Sequence, residues 1–182
     1  CYGSNSGSVT LSGHNGAIQY WEYSIDGGSN WTVINQQTAT ISYTNLTQTT
    51  AYRASVRSGV CSPAYSSSIT ITVTPLSVGG TVSSNATVCS GSNSGTLLLS
   101  GYTGSIIGWQ YSTDGGNNWN AITNTTNSYS YNNITTTTQY RAIVQNGVCS
   151  QTYSSPAIIT VDAPTNPGSI SGATTSCSGN NS

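Results

Sequence analysis

The chain has 182 residues, of which three are Arg, four are Asp or Glu and none is Lys, for a net charge of −1. So little positive charge removes the electrostatic basis for binding nucleic acid or an anionic membrane, both of which need clustered Lys and Arg, and no apolar run approaches a membrane-spanning length. Disorder is excluded too, because four Trp, twelve Tyr and many Val and Ile supply the apolar area that a disordered chain lacks.

The main feature is an internal repeat of 88 residues that needs no gap. Cys1, Cys89 and Cys177 fall on it, as do Cys61 and Cys149, Trp21 and Trp109, Tyr23 and Tyr111, Asp26 and Asp114, Trp31 and Trp119, Tyr52 and Tyr140, and Arg53 and Arg141. The expected domains are residues 1–78, an immunoglobulin-like repeat lacking its first strand, 79–166, a complete repeat, and 167–182, the first strand and start of a third. Five cysteines without the close pairs of a zinc site read as disulfide formers, which points to an oxidising, extracellular compartment. Two periodic pairings fit the count. Cys1 with Cys61 and Cys89 with Cys149 keeps each bond inside one unit and is preferred, with Cys177 pairing elsewhere. Cys61 with Cys89 and Cys149 with Cys177 is the alternative.

In chain order, His14 aligns with Tyr102 and has no neighbouring nucleophile or base in the pattern, so it reads as a loop residue. Trp21 and Tyr23 alternate with Glu22, which places the two aromatics on a core face and Glu22 outside, within reach of Arg53 across strands. Glu22 aligns with Gln110, so no carboxylate pair of a glycosidase recurs in the second repeat. Ser24 to Trp31 and Ser112 to Trp119 each place an Asp before two glycines. Asp26 and Asp114 there read as turn residues whose carboxylates accept backbone N–H groups. Calcium wants six to eight oxygens, and one carboxylate per turn is too few. Leu46 to Tyr52 and Ile134 to Tyr140 have the spacing of a tyrosine corner.

In the second repeat, short alternating stretches predict seven strands, near 80–84, 95–101, 106–113, 119–123, 128–132, 138–145 and 150–161. Alternation assigns Ile107, Trp109 and Tyr111 to one core face and Tyr140, Ala142 and Val144 to the other. Tyr20, Tyr65 and Tyr153 fall out of phase with the core and are the candidate ligand contacts, as a sugar-stacking surface would need. The expected fold is all-β: tandem immunoglobulin/fibronectin III-like β-sandwiches of about seven strands each. No catalytic residue, metal site or cofactor site is expected.

Cys-x-Gly-x-x-Ser-Gly, Trp-x-Tyr-Ser-x-Asp-Gly-Gly-x-x-Trp, Tyr-Arg-Ala, Gly-Val-Cys-Ser and Ile-Thr-Val together resemble the immunoglobulin-like repeats of giant Bacteroidetes cell-surface adhesins, the gliding-type or SprB-like proteins. The resemblance implies type IX secretion, attachment at the cell surface and a long filament that grips surfaces or other cells. The expected partners are neighbouring repeats of the same chain, a homo-oligomeric filament bundle, and surface glycans or prey and host cells. A carbohydrate-binding adhesive module is the alternative function. Neither reading is enzymatic.

Overall fold

The computed structural model describes residues 1–172, and every regular element among them is a β-strand. In the first unit, β1 (Ser6–Thr10) and β4 (Thr40–Thr44) pair antiparallel as one sheet. The facing sheet is built on β2 (Ala17–Ser24) and β5 (Thr50–Arg57), with β3 (Thr32–Ile34) outside β2, and β6 (Ala64–Tyr65) and β7 (Ile69–Ile71) along the far edge of β5.

The second unit repeats this plan and adds two strands. β8 (Thr81–Ser83), β10 (Ser94–Ser100) and β13 (Ser128–Asn132) form its first sheet. Its second sheet runs β12 (Asn120–Ile122), β11 (Ser105–Ser112), β14 (Thr138–Gln145), β16 (Ala157–Asp162) and β9 (Ala86–Cys89), with β15 (Thr152–Tyr153) also on β14. β9 runs parallel to β16 and all other ladders are antiparallel. Two stacked sheets in this strand order are the immunoglobulin/fibronectin III-like sandwich. The stretch 150–161 is two strands rather than one, and 86–89 is a strand that the alternation did not single out. Of the strand expected to open a third repeat, residues 167–172 form none, and 173–182 lie outside the described residues.

Each sandwich closes on a Trp. Trp21 and Trp109 are 1% and 0% exposed, and each indole N–H donates to a backbone carbonyl, of Thr38 and Thr126. Trp109 packs among Leu97, Leu99, Ile106, Tyr131, Tyr140, Ala142 and Val144. Trp21 has the counterpart set Val9, Ile18, Ile41, Tyr52 and Ala54. Tyr23 and Tyr111 pack at the edge of these cores, partly buried. Ile107 is a correction: it is exposed, and Ile106 is buried in its place. A bulge between Ile106 and Gly108 inserts one residue and shifts the alternation. The same irregularity lies between Ile18 and Tyr20.

Tyr52 and Tyr140 are buried, but no hydroxyl-to-backbone bond of the corner type is present among the described residues. Their rings instead lie against aromatic neighbours, Tyr43 on Tyr52, and Tyr129 and Tyr131 on Tyr140. Burial pushes the Tyr140 hydroxyl up to about 12.

Candidate functional site

Two features lie outside the cores: an arginine clamp on the outer face of each unit, and the joint between the units.

Because Tyr52 and Ala54 point inward from β5, Arg53 points outward. Its guanidinium lies between two rings, 3.9 Å from the Trp31 centroid and 4.0 Å from that of Tyr65. Register places Glu22 directly opposite Arg53, and one carboxylate oxygen, Oε2, accepts from both the Nε and the Nη2 of the guanidinium at 2.7 Å. The Tyr20 and Tyr65 hydroxyls meet at 3.1 Å, and this bond raises the Tyr65 pKa above the usual phenol value. In the second unit Arg141 lies between Trp119 and Tyr153 at 3.9 and 4.0 Å. Its Nε donates to Gln110 Oε1 at 2.8 Å, and burial draws the Arg141 pKa down. Of the three aromatic contact candidates, Tyr65 and Tyr153 each turn one ring face to an arginine, and Gly108 stands where the first unit has Tyr20. The ladders are therefore internally occupied cation–π stacks.

The Asp turns are closed in the same internal way. Asp26 Oδ1 accepts from Ser24 Oγ and the Asn30 N–H, and Oδ2 from Asn30 Nδ2. The Asp114 carboxylate does the same with Ser112 and Asn118. These bonds, with the Asn30 and Asn118 backbone N–H groups foremost, hold both carboxylates down to about 2. Among the described residues no group of three potential metal ligands occurs. His14 lies on the rim of a groove with Leu11, Asn15, Val56, Cys61 and Tyr65.

The joint overturns both sequence-based cysteine pairings. Cys1 bonds to Cys149, 148 residues away, with a Cα–Cα distance of 5.1 Å, and Cys61 and Cys89 are unpaired and exposed. Cys177 lies outside the described residues. The reason is geometric. Cys1 sits at the end of its sandwich near Leu46 and Thr74, held by Gly3 N–H to Leu46 O and Tyr2 N–H to Thr74 O. Cys61 sits at the opposite end, beside the Arg57 turn, where its carbonyl accepts from Arg57 Nε. A Cys1–Cys61 bond would have to cross the length of the unit.

The connecting segment is bound as tightly. Ser77 Oγ accepts the Asn146 N–H and donates to Ser150 O. Asn146 Nδ2 donates to Pro75 O, and Val78 bridges Thr103. Gly79 and Gly80 lie so close to the second unit that a Cβ would fall 2.0 Å from Tyr153 O and 2.2 Å from Ser100 O. Sequence reasoning reads the short 75–80 segment as holding the units in a nearly fixed relation and misses the disulfide that fastens them. Its trace is a third periodic pairing, one repeat plus the Cys1 to Cys61 spacing, together with the Gly79-Gly80 pair.

A family model described as a domain of unknown function, DUF8696, matches residues 1–75 and again 78–163. No curated protein matches the chain. Among solved structures, it is similar to the FN1–FN3 domains of chicken CNTN1 (14% identity, TM-score 0.41, covering 90% of this chain and 64% of that one). It is also similar to the four N-terminal Ig domains of Dscam1 isoform 4.44 (15% identity, TM-score 0.41, covering 88% of this chain and 42% of that one). The chain thus spans less than two thirds of the length of either.

Proposed function

For a chain that belongs to the DUF8696 family in two consecutive units, we propose a structural and adhesive role: an extracellular repeat that gives reach and holds its neighbours in a fixed order. The observation that carries this reading is the joint, in which a covalent Cys1–Cys149 bond and a hydrogen-bonded 75–78 segment fasten one sandwich to the next. A free linker has none of these attachments. The disulfide also supports an oxidising, extracellular setting. An enzymatic role has little to work with, since Glu22 is engaged by Arg53 and the two turn aspartates by their own loops.

The parent is then a surface-attached filament of such units, and the sequence resemblance supports a Bacteroidetes gliding-type adhesin exported by type IX secretion. Lateral bundling of filaments, with grip on glycans or on prey and host cells, belongs to the same proposal. The longest strands have 8 residues, about 27 Å at roughly 3.4 Å per residue, and with the loops at each end a unit advances the filament by about 35 to 45 Å. Electron micrographs of the native protein should show a density repeat near that spacing. Compact particles with units folded side by side would overturn the reading.

A further inference from the structure

We propose that Asn146 is a modification site that makes opening of the joint irreversible: the closed joint protects its side chain from deamidation, and the acid formed while the joint is open no longer fastens the two units.

The chain has two Asn-Gly pairs, Asn15-Gly16 and Asn146-Gly147. This dipeptide is the most reactive setting for an asparagine, because a following glycine has no Cβ to shield its backbone nitrogen. Asn15 lies away from the joint, on the rim of the groove that holds Cys61. Asn146 lies in the joint itself, where both residues of the pair are needed. It opens a turn closed by Cys149 N–H to Asn146 O at 3.0 Å, and that turn presents Cys149 to Cys1. Gly147 takes φ +53° within it, and a Cβ there would reach Thr74 of the first unit at 3.4 Å.

Asn146 supplies the polar half of the attachment. Its Nδ2 donates to Pro75 O at 3.0 Å, and its backbone N–H donates to Ser77 Oγ at 2.9 Å. The equivalent turn of the first unit keeps the glycine but not the asparagine. Gly59 has φ +52° with nothing near its Cβ position, and Ser58 precedes it. The amide that can be lost therefore stands where an amide fastens one sandwich to the other.

In the reaction the Gly147 backbone nitrogen bonds to Asn146 Cγ and the Cγ–Nδ2 bond breaks. Ammonia leaves carrying the Gly147 proton, and a cyclic succinimide remains. Water then opens one of its two carbonyls, giving Asp or isoaspartate at position 146. Hydrolysis of an amide moves no electrons, so water is the one co-reactant. The nucleophile is accessible, since Gly147 is exposed and its N–H has no partner among the described residues. The restraint lies on the other side: Asn146 Cγ has to swing onto that nitrogen, and the bond from Nδ2 to Pro75 O holds it back.

The product reverses the hydrogen-bonding sense of the side chain. A carboxylate only accepts, so at position 146 it loses the bond to Pro75 O and sets a second acceptor against that carbonyl. Isoaspartate also adds a methylene to the main chain inside the turn that presents Cys149. Either product leaves the Cys1–Cys149 bond to hold the joint without the amide.

The test follows Asn146 by peptide mapping and isoaspartyl methyltransferase labelling in warm, mildly alkaline buffer. The oxidised full chain is compared with a synthetic peptide of residues 143–148 and with Cys1→Ser/Cys149→Ser/Ser77→Ala, whose cores are checked as intact by Trp fluorescence. Deamidation in the full chain should be several-fold slower than in the peptide, and the opened variant should regain most of the peptide rate. Equal rates in chain and peptide, or in chain and opened variant, would overturn the protection. The fraction converted at Asn146, isolated by ion exchange on its extra negative charge, is then reduced and measured by small-angle scattering. It should show a broader spread of inter-unit orientations than the reduced, unconverted chain, and identical profiles would overturn the loss of fastening. None of these readouts depends on the filament reading.

Discussion

Glu22 and Gln110 occupy one position in two near-identical clamps, yet they put different energies at stake. The Glu22 side chain is 8% exposed, so its carboxylate depends on Arg53. Arg53→Ala should cost about 3 to 5 kcal/mol, because it leaves a buried charge unpaired. Arg141→Ala loses a neutral-acceptor hydrogen bond and a cation–π stack, and should cost about 1 to 2 kcal/mol. Urea unfolding of the two variants checks this, and equal losses would show that the carboxylate is not the reason. The Asp turns give a pH effect of definite sign. Both carboxylates have folded pKa values near 2 against an ordinary 3.8, so the stability they add is complete above about pH 4 and is lost as pH falls through about 2. The thermal midpoint should drop across that window, and the drop should shrink in Asp26→Asn/Asp114→Asn. Trp109→Ala should cost about 3 to 5 kcal/mol through lost packing and the cavity left behind, and an unchanged unfolding midpoint would remove Trp109 from the core.

Among the strands, the two units solve one packing problem with exchanged volumes. Tyr20 stands opposite Ser55 in the first, and Gly108 opposite Ile143 in the second. The exchange leaves Ser55 Oγ buried without a partner. Ser55→Ala should therefore stabilise the first unit by about 1 kcal/mol, measured by its unfolding midpoint, since an unmet buried hydroxyl costs about that or more. Much of the strand order was legible in the sequence, because an 88-residue period and alternation about Trp109 and Tyr140 need no three-dimensional information. The position of Ile107 was not. A bulge is a one-residue change of phase, and simple alternation carries past it without a mark. The clamp was half legible. Arg53 opposite Glu22 follows from phase, but Trp31 and Tyr65 come from separate elements that only the folded sheet brings over the guanidinium.

At the scale of the molecule, the cysteine pairing was illegible for a different reason. The count fits two pairings, and a bond within a unit is preferred because it can form as that unit folds, whereas the two cysteines of a unit sit at opposite ends, and only the end of one sandwich meets the start of the next. With Cys1→Ser/Cys149→Ser, the unfolding midpoint should fall, because the cross-link no longer restrains the unfolded chain, while small-angle scattering shows a broader spread of inter-unit orientations. A single rigid profile in the variant would assign the fixed geometry to residues 75–80 alone. The bond also closes a ring around nearly the whole of both units. A pull applied at Cys1 and residue 172 then runs through the sulfurs to Cys149 and along the last 23 residues (172 − 149), bypassing everything between. At about 3.5 Å per extended residue, the taut length is about 80 Å, where an open chain would pay out to about 600 Å. Stretched singly in an optical trap, the oxidised protein should stiffen at the shorter length even if both sandwiches have come apart, and gain roughly 500 Å of slack once a reductant is added. The cross-link thus acts as a tether that caps extension while the sheets remain free to yield and re-form beneath it.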